Sequence, residues 1–424
     1  MGQPKSTLLI CTVGGSPEPV VAALKHWRPA RVCFVHTPQT KSDVEGKILS
    51  AANQEGLDLD PGRYDLFELP DGQDLAACAD RLRQLTPEVE QWAARGEGYQ
   101  VAVDFTGGTK CMSAAIALHA RRWPCLFSYV GGAERTKEGV GVVVSGSEKV
   151  LFHSNPWDAL GYQAVEDFVV LFDQHAFAAA ARAVATAKVR TGRPDRAREL
   201  SALEQLGNAM DAWDRFDHRG AQSFFGNVKK GGNDLRGALG PSRANEILEG
   251  VSRCVEHLDD VVRVPPPSRN HFLDLLANAR RRRDEGRIDD GVARLYRAIE
   301  ALAQTALKES YGIDETGKIP IGRIPEPLRL EWAPRSRAGL VRIGLQEAYV
   351  LLGALGDPLG KRFREAGLDS PESCLNARNC SIMAHGFERA PLVIFDRLWD
   401  AALALAGVQP AAVPAFPKLG RQQS

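Results

Sequence analysis

Tyr99-Gln100-Val101-Ala102-Val103-Asp104-Phe105-Thr106-Gly107-Gly108-Thr109-Lys110 carries the three signals that decide the fold. A short apolar run ends at Asp104, a Gly-Gly pair follows, and a hydroxyl and a lysine open the next helical pattern. That is a strand, a tight loop and a helix, the repeating half of a βαβ unit. Working outward, similar strand-like runs occur at Thr7–Val13, Arg31–His36, Tyr64–Leu69 and Leu126–Val130. Helical patterns fill the gaps at Pro17–Trp27, Asp43–Gln54, Asp74–Ala94 and Lys110–Arg122. The alternation predicts a Rossmann-like α/β domain over residues 1–155 with a mainly parallel sheet. Val140–Val144 and Val150–Phe152, on either side of Ser145-Gly146-Ser147, read as an edge hairpin.

The strand pattern ends at Pro156. Leu160–Arg190 reads as one long helical stretch within a linker at 156–194, broken by Thr191-Gly192-Arg193-Pro194. Residues 195–410 read as an all-α domain and 411–424 as a flexible tail. Gly312–Pro334, rich in Pro and Gly, reads as a long loop.

Composition narrows the function classes. The chain has 424 residues, with 53 basic against 53 acidic side chains. This balance argues against bulk-charge coating of nucleic acid and leaves room for a local basic groove. The basic residues are 39 Arg and 14 Lys, so such a groove would be mostly guanidinium. Eight cysteines stand singly, without a Cys-x-x-Cys pair, and read as buried thiols in a reducing cytosol. No run reaches the ~18 apolar residues of a membrane span, and Leu8–Val13 is too short for a signal peptide. The expectation is a soluble, cytoplasmic protein with no membrane partner.

Two strand ends carry loops built for a ligand. The first strand runs into Thr12-Val13-Gly14-Gly15-Ser16-Pro17, the fourth into Thr106-Gly107-Gly108-Thr109-Lys110. Paired glycines let the backbone approach a ligand, and the helix starts that follow favour anions. The bland alternative is two tight turns with Ser16 and Thr109 as helix N-caps. Neither loop has P-loop spacing and no Gly-x-Gly-x-x-Gly is present, so ATPase and dehydrogenase chemistry are not indicated.

A second constellation lies in Ser370–Gly386. Ser370, Pro371 and Glu372 suit a helix start and Gly386 a helix stop. Between them, Arg378 and His385 are seven residues apart, which places them on one helix face about 10 Å apart. Arginine for phosphate charge and histidine for proton transfer suit metal-free phosphodiester cleavage, with Asn379 beside the arginine. Arg31 and His36 have a similar spacing but lie on a strand, pointing to opposite faces.

Together these motifs resemble the CARF–HEPN ribonucleases of type III CRISPR defence. Thr106–Lys110 looks like the CARF ligand loop and Gly14-Gly15-Ser16 like its first-strand partner. Arg378-Asn379…His385 looks like the HEPN Arg-x4-6-His signature, and Asp290–Tyr311 resembles a helix of one branch of that family. The resemblance spans about Thr7 to Gly407 and makes 195–410 HEPN-like. It implies a homodimer in which two CARF domains bind one cyclic oligoadenylate, tetra-adenylate before hexa-adenylate. Two HEPN domains would form one site cutting single-stranded RNA.

On that basis the 2′-hydroxyl attacks the adjacent phosphate, so DNA is not cut and the ends are a 2′,3′-cyclic phosphate and a 5′-hydroxyl. Arg378 stabilises phosphoryl charge, His385 handles the proton and Asn379 orients. Thr12, Gly14, Gly15, Ser16 and Thr106 to Lys110 bind the ring. No cofactor and no metal ligand is expected.

Two other readings stay open. One is a nucleotide-sensing regulator without catalysis; the other is a sensor that cleaves its own ring with help from Ser16, Thr12 or Lys110. Arg280 to Arg283 read as a solvated helix face, His257 and His271 as structural, and Leu295, Tyr296, Ile299 and Leu302 as core. Lys361, Arg362, Arg364 and Arg389 are candidates for guiding RNA.

Overall fold

The computed structural model describes residues 6–57, 59–94, 99–132, 148–370, 373–376, 383 and 386–420. The chain divides into two compact units, residues 1–163 with 190–193 and residues 164–189 with 194–424.

The first unit contains β1 (Thr7–Thr12), α1 (Glu18–Trp27), β2 (Arg31–His36), α2 (Lys41–Asp43), α3 (Leu49–Gln54) and β3 (Tyr64–Glu68). It continues through α4 (Leu75–Arg83), α5 (Thr86–Ala94), β4 (Gln100–Asp104), α6 (Lys110–Ala120), β5 (Cys125–Gly132), β6 (Glu148–Ser154) and α7 (Pro156–Ala159). The sheet order is β3-β2-β1-β4-β5-β6. Pairing is parallel from β3 through β5, and β6 runs antiparallel on the edge. Central β1 is apolar on both faces because helices cover both: Leu8 and Ile10 enter one core layer, Leu9, Cys11 and Val13 the other.

Three expectations change here. Asp74–Ala94 forms two helices, α4 and α5, and Leu85 between them is buried. The edge strand β6 pairs with β5, while Val140–Val144 lies outside the described residues. Between α2 and α3 the chain winds as a π-helix over Val44–Ile48.

The second unit holds two cores. The first joins α8 (Tyr162–Asp173), α9 (Phe177–Arg190), α10 (Pro194–Asp214), α11 (His218–Lys230), α12 (Gly232–Leu239) and α13 (Pro241–Arg263). Leu160–Arg190 is therefore two helices whose faces are buried, through Phe168, Phe172, Phe177 and Val184. The chain turns at His175, in the left-handed region at φ 62°, so that the Phe172 and Phe177 rings meet at 5.1 Å.

The other core gathers α14 (Arg269–Asp284), α15 (Ile288–Tyr311), α16 (Leu328–Trp332), α17 (Leu345–Ala354), α18 (Pro358–Glu365) and α19 (Leu392–Ala406). On α15, Leu295, Ala298, Ile299 and Leu302 recur at helical spacing on the buried face. Gly312 closes that helix in the left-handed conformation at φ 63°. This region is helical but not strictly all-α: β7 (Ile319–Pro320) pairs antiparallel with β8 (Leu340–Val341). Gly312–Pro334 is accordingly no bare loop, since Ile319, Ile324, Leu328 and Trp332 are buried.

Two surface expectations are corrected. Arg281 and Arg282 are buried and both donate to the Asp214 carboxylate. They stitch α14 to α10 instead of forming a solvated face. The expected tail is packed as far as Gly420: Val413, Phe416 and Leu419 are buried, and Asp173 accepts from the N–H groups of Leu419 and Gly420 at 2.6 Å each. Among the described residues, no helix is long and apolar enough to cross a membrane.

Candidate functional site

The strand order reverses between β1 and β4, which opens a crevice beyond their carboxyl ends. Both glycine loops lie there and touch. Thr12 Oγ1 donates to the Gly107 carbonyl at 2.5 Å. The approach is too close for side chains: a Cβ on Gly14 would lie 2.6 Å from Gly108 N, and one on Gly107 would lie 2.1 Å from Thr12 O. Gly108 adopts φ 80°, which favours glycine. Gly15 has open space around its missing Cβ.

A buried carboxylate fixes the second loop. Asp104 Oδ1 accepts from Thr106 N at 3.0 Å, and Oδ2 accepts from Ser128 Oγ at 2.7 Å. The Ser128 oxygen accepts from Trp27 Nε1 at 3.1 Å, which links α1 to the network. Burial pushes the Asp104 carboxyl upward, against the hydrogen bonds from Ser128 and Thr106. Thr106 Oγ1 accepts from Val130 N at 2.7 Å. The hydroxyl of Thr109 caps α6, accepting from Met112 N at 3.2 Å, and donates to the Gly72 carbonyl. Cys111 Sγ donates to the Gln73 carbonyl at 3.2 Å, so the loop after β3 is held against the same ledge.

The structure thus brings together Thr12, Gly14 and Thr106 to Thr109. Thr12 is buried and its hydroxyl ties loop to loop, which leaves it facing away from solvent. Gly15, Ser16 and Lys110 are exposed at the rim, Lys110 as the first residue of α6. Ser16 does not cap α1; Pro17 holds that position with no side-chain bond. Sequence reasoning missed Asp104, Ser128 and Gly72 as supports. The strand-end aspartate stands in the sequence directly before the loop, whereas Ser128 and Gly72 are brought in only by sheet order.

In the second unit, Arg378, Asn379 and His385 lie outside the described residues. Around them, Leu375 is buried in the core, and the Ala390 N–H donates to Asp289 Oδ1 at 2.9 Å, anchoring the chain to the start of α15. Phe387 is 96% exposed. Of the candidate RNA guides, Arg362 donates to the Leu405 carbonyl at 3.1 Å and Lys361 pairs with Glu365 at 3.5 Å.

The family model of the Csm6 HEPN domain matches residues 264–406, from the approach to α14 through the end of α19. A CRISPR system endoribonuclease Csm6 of Thermus thermophilus is 27% identical over 415 residues, spanning 89% of this chain and 80% of that protein. Residues 264–406 match a Csm6 HEPN domain, and the chain as a whole is similar to a Csm6 endoribonuclease.

The match begins at Val264, where α13 gives way to the second core, so the HEPN segment coincides with a packing unit. Two solved structures are also similar. Enterococcus italicus Csm6 bound to cyclic hexa-2′-fluoro-hexa-dAMP aligns over 95% of both chains at 12% identity and a TM-score of 0.49. Can2 from Sulfobacillus thermosulfidooxidans in complex with cyclic tetra-adenylate aligns over 51% of this chain and 68% of that one, at 12% identity and a TM-score of 0.25.

Proposed function

We propose that the protein is a metal-independent endoribonuclease for single-stranded RNA in CRISPR antiviral defence, switched on by a cyclic oligoadenylate. The observation that carries this reading is positional: Arg378, Asn379 and His385 fall inside the segment matched to the Csm6 HEPN domain. The endoribonuclease named as a relative supports the activity.

In this reading the protein is a cytoplasmic homodimer. Each subunit offers the same two loops, so a two-fold pair presents repeated donors to a ring of repeated phosphates. Cyclic tetra-adenylate is the first choice and hexa-adenylate the second. Exposed Lys110 at the start of α6 adds charge where helix N–H groups already favour anions. Arg378 stabilises the phosphoryl charge, Asn379 orients, and His385 protonates the leaving 5′-oxygen. The ends are a 2′,3′-cyclic phosphate and a 5′-hydroxyl, and DNA, lacking the nucleophile, stays intact.

The test separates the two sites. Lys110→Ala should raise the ring concentration needed for activation while leaving the saturated cleavage rate intact. His385→Ala should bind the ring as wild type does and cleave nothing. Unchanged activation of Lys110→Ala at limiting ring removes the role of that lysine, and cleavage by His385→Ala removes the HEPN assignment.

A further inference from the structure

Beyond α19 the chain forms a strap built on a period of three. Val413, Phe416 and Leu419 are buried, with Pro414 and Pro417 between them. Three residues per turn is the repeat of a polyproline II strand, which makes no hydrogen bonds within itself. From Pro414 onward the strap is held by what it docks against. Its buried side chains enter different cores. Val413 joins the core that gathers α14 to α19, whereas Phe416 and Leu419 join the core of α8 to α13.

The docking contacts tie together helices that are distant in sequence. Arg280 on α14 donates to the carbonyls of Val413 and Pro414 at 3.3 and 2.9 Å. The Phe416 ring lies 4.9 Å from that of Trp213 on α10 and 5.7 Å from that of Phe177 on α9. The Arg281 guanidinium rests 3.7 Å above the same ring. Both terminal nitrogens of Arg281 are buried without a hydrogen-bond partner, so the ring face takes the place of an acceptor. At the other end Asp173, the last residue of α8, accepts from Leu419 N and Gly420 N at 2.6 Å each. Gly250 on α13 touches the strap, since an added Cβ would lie 2.6 Å from Pro417 Cβ. Beside that contact a cleft of about 850 Å³ stays open between strap and helix.

We infer that the strap is a releasable clamp coupling the end of α8 to the core around the Arg378–His385 segment, an inference that rests on the proposed function. That segment is bracketed by Leu375 and Ala390, both buried in the α14 to α19 core. The helix that follows it in the chain is α19, and the strap continues from α19. At the opposite end, α8 begins at Tyr162, where the chain passes from the first unit into the second. The strap therefore joins the end of the one helix to the end of the other. A terminal strand held by three side chains and a few hydrogen bonds has two states, docked and released, and releasing it costs less than opening a helical core. A bound ring acts on cleavage only through a difference between states. The docked strap carries that difference to α19, and the released strap does not.

Two variants of the full-length protein unfasten the strap at the α8 end: Asp173→Ala removes the acceptor, and Leu419→Ala trims the last buried side chain. Amide hydrogen exchange needs no ring and reads the clamp itself. Exchange should quicken at Val413 and Phe416 as well as at Leu419 and Gly420, because the strap releases as one unit. Quickening confined to Leu419 and Gly420 overturns the clamp. Calorimetry and cleavage assays with the ring then read the coupling. Both variants should bind the ring as wild type does, while the ratio of ring-saturated to ring-free cleavage falls about fivefold or more. Lost packing alone lowers both rates together, so an unchanged ratio overturns the coupling. A wild type that no ring stimulates removes the proposed function and the coupling with it, and the exchange result still decides the clamp.

Discussion

The hydroxyl of Thr12 at the end of β1 donates to the carbonyl of Gly107 in the loop after β4, a 2.5 Å bond between residues 95 positions apart. It closes the two ligand-loop candidates into one ledge at the point where strand order reverses. Thr12→Val keeps the shape and deletes the donor. We expect a loss of about 1 kcal/mol in stability by urea unfolding, together with weaker ring binding by calorimetry. Wild-type ring affinity in a destabilised Thr12→Val would mean that this bond supports the fold and not the ledge.

The neighbouring glycines give a matched pair. Gly14→Ala drives a Cβ to within 2.6 Å of Gly108 N, whereas Gly15→Ala meets nothing within 4 Å. The first should part the loops and raise the ring concentration for half-maximal activation about tenfold or more, the second should leave it near wild type. Equal behaviour of the two variants in an activation assay would rule out close loop contact as the requirement.

Asp104 gives a pH dependence with a definite sign. Its carboxyl is raised from the ordinary value of 3.8, mainly by burial. The native state therefore holds this proton more tightly than the unfolded chain. The stability that proton contributes is fully present below the unfolded value and lost as pH rises through the raised native one. Relative to Asp104→Asn, the wild type should gain stability as pH falls from 7 through that window. A stability difference that does not change with pH in urea titrations would remove the effect.

Asp214 is the sole carboxylate that receives both Arg281 and Arg282 among the described residues, and it also accepts from Asn278 Nδ2 at 3.0 Å. Asp214→Asn leaves buried Arg281 without its counter-charge and Arg282 with Glu285 alone, at 2.9 Å; breaking a buried pair costs roughly 3–5 kcal/mol. A large drop in melting temperature is expected. A shift no bigger than that of a surface control, such as Asp80→Asn, would show the pairing to be dispensable.

The sheet was legible because its signal is local. Each strand is a short apolar run, each loop carries Gly or Pro, and the ends of β1 and β4 match the glycine positions. What escaped depended on tertiary burial. Arg280 to Arg283 look like any charged helix face, and only Asp214 arriving from α10 turns two of them inward. The break at His175 was hidden in an apolar stretch, because the turn is set by Phe172 and Phe177 meeting, not by a Gly or Pro. Phe416 gave no sign, in a Pro-rich terminus, that its ring would lie 3.7 Å beneath the Arg281 guanidinium. In the site, the glycine loops and Lys110 were readable, while Ser128 under Asp104 becomes a neighbour only once β5 pairs with β4.

In the proposed function, a ring bound at the glycine loops commands RNA cleavage by Arg378 and His385. The most direct measurement is cleavage of a fluorogenic single-stranded RNA in EDTA, with each cyclic oligoadenylate and without any, for wild type and His385→Ala. We expect metal-free cleavage that requires a ring, cyclic tetra-adenylate first, and is absent in His385→Ala. Cleavage that ignores the ring, stops in EDTA, or survives in His385→Ala would contradict it.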